Sequence, residues 1–211
     1  MTYAARPFAL IALALLAACT SANPSYRSHS EGRRAEAVKV TSNSFGCIRD
    51  MTPVRGFYVD NLLGNLADTL AAANMPLGGP WPPGTVIQRI PNEAMVKHGK
   101  GFNPATNDWE FFVLDVSKKS TKIAERGFTG VINPFGGDCL TCHSEAAPKW
   151  DMICEQGHGC PANPITHVMA VAIQNTDPRC PTVSLPPNQK AALQELTLLL
   201  AAPQPRPIAR R

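Results

Sequence analysis

The chain has 211 residues, which is enough for one domain of ordinary size together with flexible or removable segments. Its 20 Lys and Arg residues outweigh its 16 Asp and Glu residues, for a formal net charge of +4. This charge is mild and no basic run is interleaved with aromatic residues, so the composition argues against a nucleic-acid-binding protein. After residue 18, no apolar segment approaches the length that a bilayer requires.

The first residues have the pattern of a secretory signal peptide. Met1–Arg6 carries one positive charge, and an unbroken apolar run follows over Pro7–Ala18. The run leads into Leu16–Cys19, which resembles the lipobox of bacterial lipoproteins, where cleavage leaves the cysteine as the acylated first residue. We therefore expect Cys19 to be lipidated and to anchor the chain in a membrane. An ordinary signal peptide with an incidental cysteine is the alternative. Thr20 after the cysteine favours the outer membrane, facing the periplasm of a bacterial cell envelope.

Composition divides the chain into four segments. The stretch after Cys19 is polar and rich in Ser, Asn, Arg and Glu, which is typical of a flexible tether. The C-terminal end is proline-rich and basic, which is typical of a disordered tail. The predicted organisation is a signal peptide over 1–18, a tether over 19–43, a folded domain over 44–202 and a tail over 203–211.

Within the folded domain, the pattern predicts strands first and a cysteine-rich, helical or irregular segment afterwards. β-Branched and aromatic residues predict strands at 55–60, 85–90, 93–97, 109–116 and 121–127. Segment 66–73 is ambiguous, but its alanines favour a helix, and 188–201 has helical composition after two prolines. The predicted fold class is α+β: an antiparallel, strand-rich domain followed by a disulfide-stapled C-terminal segment.

One motif carries chemistry. Cys139-Leu-Thr-Cys142-His143 fits the C-x-x-C-H pattern of covalent haem attachment. Two thiols at this spacing can add to the two vinyl groups on one edge of a porphyrin, and the adjacent imidazole then reaches the iron as its proximal ligand. The machinery that forms these thioethers acts after export, which agrees with the signal peptide. The sequence therefore predicts one covalent haem c, held by Cys139 and Cys142 with His143 as iron ligand.

Two other interpretations of the motif compete. The first is a structural zinc site, whose four thiolate ligands would in principle be Cys139, Cys142, Cys154 and Cys160. The C-x-x-C spacing also occurs in thioredoxin-like redox pairs. Zinc–thiolate sites are uncommon in an oxidising compartment, and the surrounding sequence lacks the strand–helix setting of a thioredoxin motif, so haem attachment is preferred.

The remaining four cysteines are Cys47, Cys154, Cys160 and Cys180. An even remainder is what disulfides in an exported protein require, and four cysteines allow three pairings. Two glycines lie between Cys154 and Cys160, which makes local closure sterically easy. The preferred pairing is Cys154–Cys160 with Cys47–Cys180, although spacing alone leaves the connectivity open.

Four features occur together over about Met51–Ala147: a strand-rich pattern, a Trp-Pro-Pro-Gly turn before a strand, a Trp-Glu-Phe-Phe strand and a late C-x-x-C-H. In these features the sequence resembles the cytochrome P-460 family. The resemblance implies an antiparallel sheet packed over the haem, and in that family a lysine can cross-link to the macrocycle. Members oxidise hydroxylamine or bind nitric oxide. Lys97 is the cross-link candidate by position; a solvated lysine at a strand end is the simpler interpretation.

The sixth iron position is open. Each side chain that is able to bind iron also has an ordinary interpretation as core or surface residue. These candidates are Met95, His98, His158, His167 and Met169. The family resemblance implies an open, apolar distal side, which Phe57, Phe111 or Phe112 would line. Trp150 and Asp151 would pack at the ring edge or in the ordinary core.

Two classes of function remain. The preferred one is a cytochrome that exchanges electrons with redox partner proteins or binds a small ligand such as nitric oxide. The other is an enzyme that oxidises hydroxylamine or a related nitrogen compound. No paired carboxylates are predicted beside the aromatic wall, so no residue is assigned a catalytic role. A stapled lipoprotein without haem is a third alternative, and a homodimer is compatible with the sequence.

Overall fold

The computed structural model describes residues 37–201, which form an α+β domain around a six-stranded antiparallel sheet. The signal peptide, the lipidation site Cys19 and the tail over 203–211 lie outside the described residues. No helix in the described part is long and apolar enough to cross a membrane.

The sheet is a meander in which each strand pairs with the next one along the chain. The strands are β1 Thr52–Val54, β2 Phe57–Asn61, β3 Thr85–Gln88, β4 Glu93–Lys97, β5 Trp109–Val116 and β6 Thr121–Gly127. All the strands predicted from the pattern are present, and the short β1 is an addition. Arg55 has φ 47° in the turn between β1 and β2, so β2 begins two residues later than the pattern indicated.

Alternation along the strands gives the sheet two buried faces. On β4, Met95 faces one cluster and Val96 the other, and on β5 Phe111 and Phe112 separate in the same way. Successive side chains in a strand point to opposite faces, so an apolar run of this kind indicates a sheet that is covered on both sides. The Met95 face, called here the motif face, packs against the segment that contains Cys139.

The opposite face is covered by the residues that precede β1. Val38 and Val40 are buried against it, and Val38 N donates a hydrogen bond to His98 Nδ1 at 3.0 Å. The predicted tether over 19–43 is therefore too long at its C-terminal end. Two isolated valines in a polar stretch give no periodic signal, although both side chains are buried.

Within residues 37–201 the sheet is accompanied by four α-helices: α1 Leu66–Ala73, α2 Cys139–His143, α3 His167–Asn175 and α4 Pro187–Ala201. The preference for a helix over 66–73 is confirmed, as is the helix after the two prolines. Helix α3 was predicted only as part of a helical or irregular segment. Thr166 caps its N-terminus, accepting a hydrogen bond from Met169 N at 3.2 Å, and its apolar side packs on α4.

Two disulfides are formed, Cys47–Cys180 and Cys154–Cys160, which is the preferred pairing. The first joins the segment before β1 to the loop between α3 and α4. The second closes a short loop soon after α2. Cys47–Cys180 thus links the C-terminal segment to the residues before β1, and the disulfides of the predicted fold class are present.

Candidate functional site

The C-x-x-C-H segment forms the short helix α2. Asp138 caps it, since Asp138 Oδ1 accepts a hydrogen bond from Thr141 N at 2.7 Å. Helical spacing of three and four residues brings Cys142 and His143 to the same side as Cys139. The helix thus presents two thiols and one imidazole together.

Both thiols of α2 are free, whereas the other described cysteines are bonded in pairs. Cys139 is half-buried against the motif face and Cys142 is exposed. Burial raises the pKa of the Cys139 thiol to about 12, and the carboxylates of Glu93 and Asp138 add to the rise. Burial also raises the pKa of Cys142. Both groups are therefore neutral thiols at physiological pH.

These facts count against the competing interpretations of the motif. Redox-active thiols of the thioredoxin kind have a lowered pKa, which is the opposite of what burial does here. Cys154 and Cys160 are bonded to each other and are not thiolate ligands for zinc. Within residues 37–201, no group of three or more His, Cys, Asp or Glu side chains is arranged to hold a metal ion.

The imidazole of His143 is oriented by the backbone. His143 Nδ1–H donates a hydrogen bond to the carbonyl oxygen of Met152 at 2.7 Å. Burial lowers the pKa of His143, and this hydrogen bond partly opposes the change. The ring is thus held neutral, with its proton on Nδ1 and the lone pair of Nε2 available. This is the form in which histidine binds a metal.

The loop that supplies this carbonyl has an unusual backbone. Asp151 and Met152 both have positive φ, 50° and 66°, although neither is glycine. Residues in such conformations cost about 1–3 kcal/mol each and persist where the surroundings hold them. Here Trp81 N donates to Asp151 Oδ2 at 2.8 Å, and Trp109 Nε1 donates to Asp151 O at 2.9 Å.

Lys97 is held by the same loop. Its side chain is buried, and Nζ donates to Asp151 Oδ1 and Oδ2 at 2.8 and 2.7 Å. Nζ also donates to Asn107 O at 2.5 Å. The interpretation of Lys97 as a solvated lysine is therefore wrong. Its position gives no support to a cross-link either, because its ammonium group is engaged and Lys97 is not among the residues that line the cavity beside α2.

A cavity of about 1180 Å³ opens beside α2. Sites for small molecules and cofactors are commonly about 300–1000 Å³, so this one has room for a group as large as a haem. Its wall includes Cys142 from the motif, Phe57 and Trp81 from the motif face, and Trp150 and His158 from the segment after α2. Of the three predicted haem-binding residues, only Cys142 lines this cavity, whereas Cys139 and His143 lie next to it against the motif face. The residue types fit a covalently attached haem: two free thiols and an imidazole on one short helix that adjoins a large space.

Glu93 is a functional candidate that was missed from the sequence. It lines the cavity, and its Oε1 has no hydrogen-bond partner among the described residues. Burial raises the pKa of Glu93 to about 7, while the charge of Arg89 opposes the rise. The signal was present in the strand: Glu93 is two residues before Met95, so alternation puts it on the motif face.

The candidates for the sixth iron position separate clearly. Both ring nitrogens of His98 are engaged, by Val38 N and by Glu110. Met169 is fully buried between α3 and α4, and Met95 belongs to the motif-face core. Only His158 and His167 among the candidates line the cavity.

Of these two histidines, His158 has a ring that is oriented by a hydrogen bond and by stacking. Its Nδ1–H donates to Ile153 O at 2.7 Å, and its ring stacks on Trp150 with 3.7 Å between centroids. Trp150 lies in the cavity wall, whereas its neighbour Asp151 is buried.

For Trp150 and Asp151 the sequence left open a place at the ring edge or in the ordinary core. The two residues differ: Trp150 lines the cavity and Asp151 belongs to the core.

The three predicted aromatic residues occupy three different places. Phe57 lines the cavity. Phe111 lies in the motif-face core with its ring 5.4 Å from that of His143. Phe112 packs against Phe45 on the opposite face, so its assignment to the distal side is wrong. It is adjacent to Phe111 in a strand, and adjacent residues cannot share a face.

In comparisons with known proteins, no family model, no curated protein and no solved structure matches this chain.

Proposed function

We propose that this protein is an exported monohaem c-type cytochrome that transfers electrons or binds a small ligand at the haem iron. Cys139 and Cys142 would hold the haem through thioethers, and His143 would bind the iron through Nε2. One observation carries the proposal: beside two free thiols, the buried imidazole of His143 is oriented by a 2.7 Å hydrogen bond from Nδ1–H to Met152 O, which leaves Nε2 as the nitrogen that is able to bind iron.

The cavity supports the ligand-binding part of this proposal. A bound haem supplies a one-electron couple and a coordination position for a small ligand. Phe57 and Trp81 provide apolar wall in the cavity, which excludes water and tolerates a small neutral molecule. His158 lines the same wall, and because its Nδ1 is engaged by Ile153 O, Nε2 is the ring nitrogen left to interact with a ligand. It is therefore the residue on which a sixth ligand or a hydrogen bond to a bound ligand would depend.

The two disulfides support the proposed location. Disulfides persist in oxidising compartments, and haem c attachment takes place after export. An envelope lipoprotein anchored through Cys19 is the location that we propose, with periplasmic redox proteins as partners. The antiparallel sheet agrees with the resemblance to the cytochrome P-460 family, which implies such a sheet packed over the haem, and membership of that family is part of the proposal.

A second candidate function is oxidation of hydroxylamine or a related small nitrogen compound. The observation that favours it is Glu93, a cavity carboxyl group with one unpartnered oxygen and a pKa raised to about 7 by burial. A group that titrates near the working pH can accept and return a proton. No such group was predicted from the sequence. The carrier remains preferred because no described side chain hydrogen-bonds to Glu93 Oε1, although Glu155, His158 and His167 also lie in the cavity wall.

Covalent attachment is the decisive test. The protein is produced in a periplasm that contains haem c maturation machinery, then denatured and extracted with acidified organic solvent. We expect haem to stay with the wild-type polypeptide and to be lost from the Cys139→Ser, Cys142→Ser double variant. The matched control is the Cys154→Ser, Cys160→Ser double variant, which should keep its haem.

The proposal would be refuted if the solvent extracted all of the haem from the wild-type polypeptide, or if the protein contained zinc in place of iron. The haem-loaded protein is then assayed for steady turnover of hydroxylamine. Turnover that is lost in Glu93→Gln while covalent haem is retained would establish the enzyme. If the haem-loaded wild-type protein does not turn over hydroxylamine, the electron-transfer or ligand-binding function remains the proposal.

A further inference from the structure

We infer that Lys97 and Asp151 are positioning residues for the iron ligand. They hold the carbonyl group that keeps the proton on His143 Nδ1, and in this way they set the reduction potential of the haem. The inference rests on the proposed function, since it requires His143 to bind iron. It assigns a role to the buried lysine that is neither a cross-link nor solvation.

The path from Lys97 to the imidazole is short and continuous. Lys97 Nζ donates to both carboxylate oxygens of Asp151, at 2.8 and 2.7 Å. The next residue in the chain is Met152, whose carbonyl oxygen accepts the hydrogen bond from His143 Nδ1–H at 2.7 Å. The ion pair therefore fixes one end of the peptide segment whose other end meets the imidazole.

Asp151 is held from several directions. Its carboxylate accepts a hydrogen bond from Trp81 N at 2.8 Å, and its carbonyl oxygen accepts one from Trp109 Nε1 at 2.9 Å. Only 9% of the Lys97 side chain and 8% of the Asp151 side chain are exposed. Solvent therefore screens the pair little.

The backbone explains why such anchoring is needed. Asp151 and Met152 both have positive φ, which L-residues adopt only when their surroundings impose it. Without the ion pair, the loop would relax toward ordinary φ values and the Met152 carbonyl would turn away from Nδ1. The pair and the two tryptophan contacts together supply the constraint.

The electronic consequence has a definite sign. A carbonyl that accepts the Nδ1–H bond raises the basicity of the ring, and a more basic imidazole stabilises the ferric over the ferrous state. Weakening this bond should therefore raise the reduction potential. Lys97 and Asp151 would act on the iron only through the imidazole, without contacting haem or substrate.

The chain contains a matched control for this test. Asp177 is also buried, pairs with Arg179 at 2.7 Å and accepts a hydrogen bond from a backbone amide, Ile48 N, at 2.9 Å. It belongs to the region of the Cys47–Cys180 disulfide rather than to α2. Asp177→Asn and Asp151→Asn thus remove the same kind of charge from the same kind of buried pair.

The experiment measures reduction potential and the iron–imidazole stretching frequency on haem-loaded full-length variants. We expect Asp151→Asn to shift the potential upward and to lower the stretching frequency. Asp177→Asn should destabilise the protein and leave both signals at their wild-type values. Trp109→Phe removes the bond to Asp151 O without leaving a buried charge unpaired, so it should give a smaller shift in the same direction even if Asp151→Asn fails to fold.

The outcomes separate this inference from the proposed function. Suppose that every variant carries covalent haem and that Trp109→Phe and Asp151→Asn have the reduction potential of the wild type. This result would overturn the inference and leave the proposed function standing. An equal shift in Asp177→Asn would overturn it too, because the effect would then be general loosening. A wild-type protein without covalent haem would overturn both.

Discussion

Two short stretches of this protein contain the same three reactive side chains and use them differently. Residues 139–143 contain two cysteines and a histidine on a helix, and both thiols stay free. Residues 154–160 also contain two cysteines and a histidine, in a loop that bends back so that the cysteines bond to each other. Gly157 and Gly159 permit this bend, with φ of +83° and +102°. Backbone conformation, and not residue type, decides which pair is available to a cofactor.

The two histidines extend the comparison. His143 Nδ1–H donates to Met152 O, and His158 Nδ1–H donates to Ile153 O, each at 2.7 Å. Consecutive carbonyls therefore orient both rings and leave both Nε2 atoms available. The histidines differ in what adjoins them: His143 is next to a free thiol, whereas His158 is inside a closed disulfide loop. Hydrogen bonding alone would thus not identify the iron ligand that we propose.

The largest expected effect concerns the bonded cysteines. Removing a disulfide costs more when it closes a longer loop. Cys47–Cys180 spans 133 residues and Cys154–Cys160 spans 6. We expect replacement of the first pair by serines to lower the free energy of unfolding by about 5 kcal/mol, and replacement of the second by about 2 kcal/mol. Urea unfolding measures both. Loss of haem from the second variant would contradict the separation of roles between the two stretches.

The next effect concerns Glu93, whose charge helps to raise the pKa values of the two free thiols. Its pKa in the folded protein is raised to about 7 by burial, above its ordinary value near 4.5. Between these two pH values the folded state binds more protons than the unfolded state, so stability falls as pH rises. We expect a loss of at most about 3.5 kcal/mol across that interval, because a full proton difference changes the free energy of unfolding by about 1.4 kcal/mol when the pH changes by one.

Glu93→Gln should remove this part of the pH dependence, because glutamine does not titrate. Urea unfolding at pH 5 and pH 8 gives the measurement, and the exposed Glu195→Gln is the matched control. The difference between the two pH values should shrink in Glu93→Gln and stay unchanged in Glu195→Gln. Equal behaviour of the two variants would show that Glu93 is ordinarily solvated in the folded protein.

Much of the fold follows from local patterns. Alternating aromatic and β-branched residues predicted β5 Trp109–Val116 to its ends, and two prolines marked the start of α4. The close spacing of Cys154 and Cys160 around two glycines favoured their disulfide, which left one pairing for the other cysteines. These are short-range properties, and the sequence carries them directly.

The site was less predictable because it depends on contacts between distant residues. The partner of Lys97 is Asp151, which is 54 positions away, and no pattern in the strand indicates it. The carbonyl that orients His143 belongs to a loop with positive φ at two residues other than glycine. By contrast, Glu93 was predictable from alternation. It was missed because the expected cavity wall was assigned to the aromatic strand β5 and not to its neighbour β4.

The smallest expected effect concerns the point where the two stretches meet. His158 O accepts a hydrogen bond from Ala147 N at 2.7 Å, just beyond the end of α2. A Cβ atom at Gly159 would lie 3.0 Å from Glu145 O and 3.3 Å from Ala147 N. Both are backbone atoms, which cannot relieve the contact by a side-chain rotation. At Gly157 the added atom would meet nothing within 4 Å. Both positions have positive φ, so the two alanine variants share the conformational cost and differ in the contact.

We therefore expect Gly159→Ala to lower the free energy of unfolding by about 2 kcal/mol and Gly157→Ala by about 1 kcal/mol. The added methyl group at Gly159 would also push the disulfide loop away from α2 and carry His158 with it. Urea unfolding measures the first effect. In haem-loaded protein, affinity for nitric oxide or carbon monoxide measures the second, since His158 lies in the cavity wall. Only the added methyl group at Gly159 contacts the backbone just beyond α2. If the two variants have equal free energies of unfolding and equal ligand affinities, the disulfide loop and α2 are therefore independent.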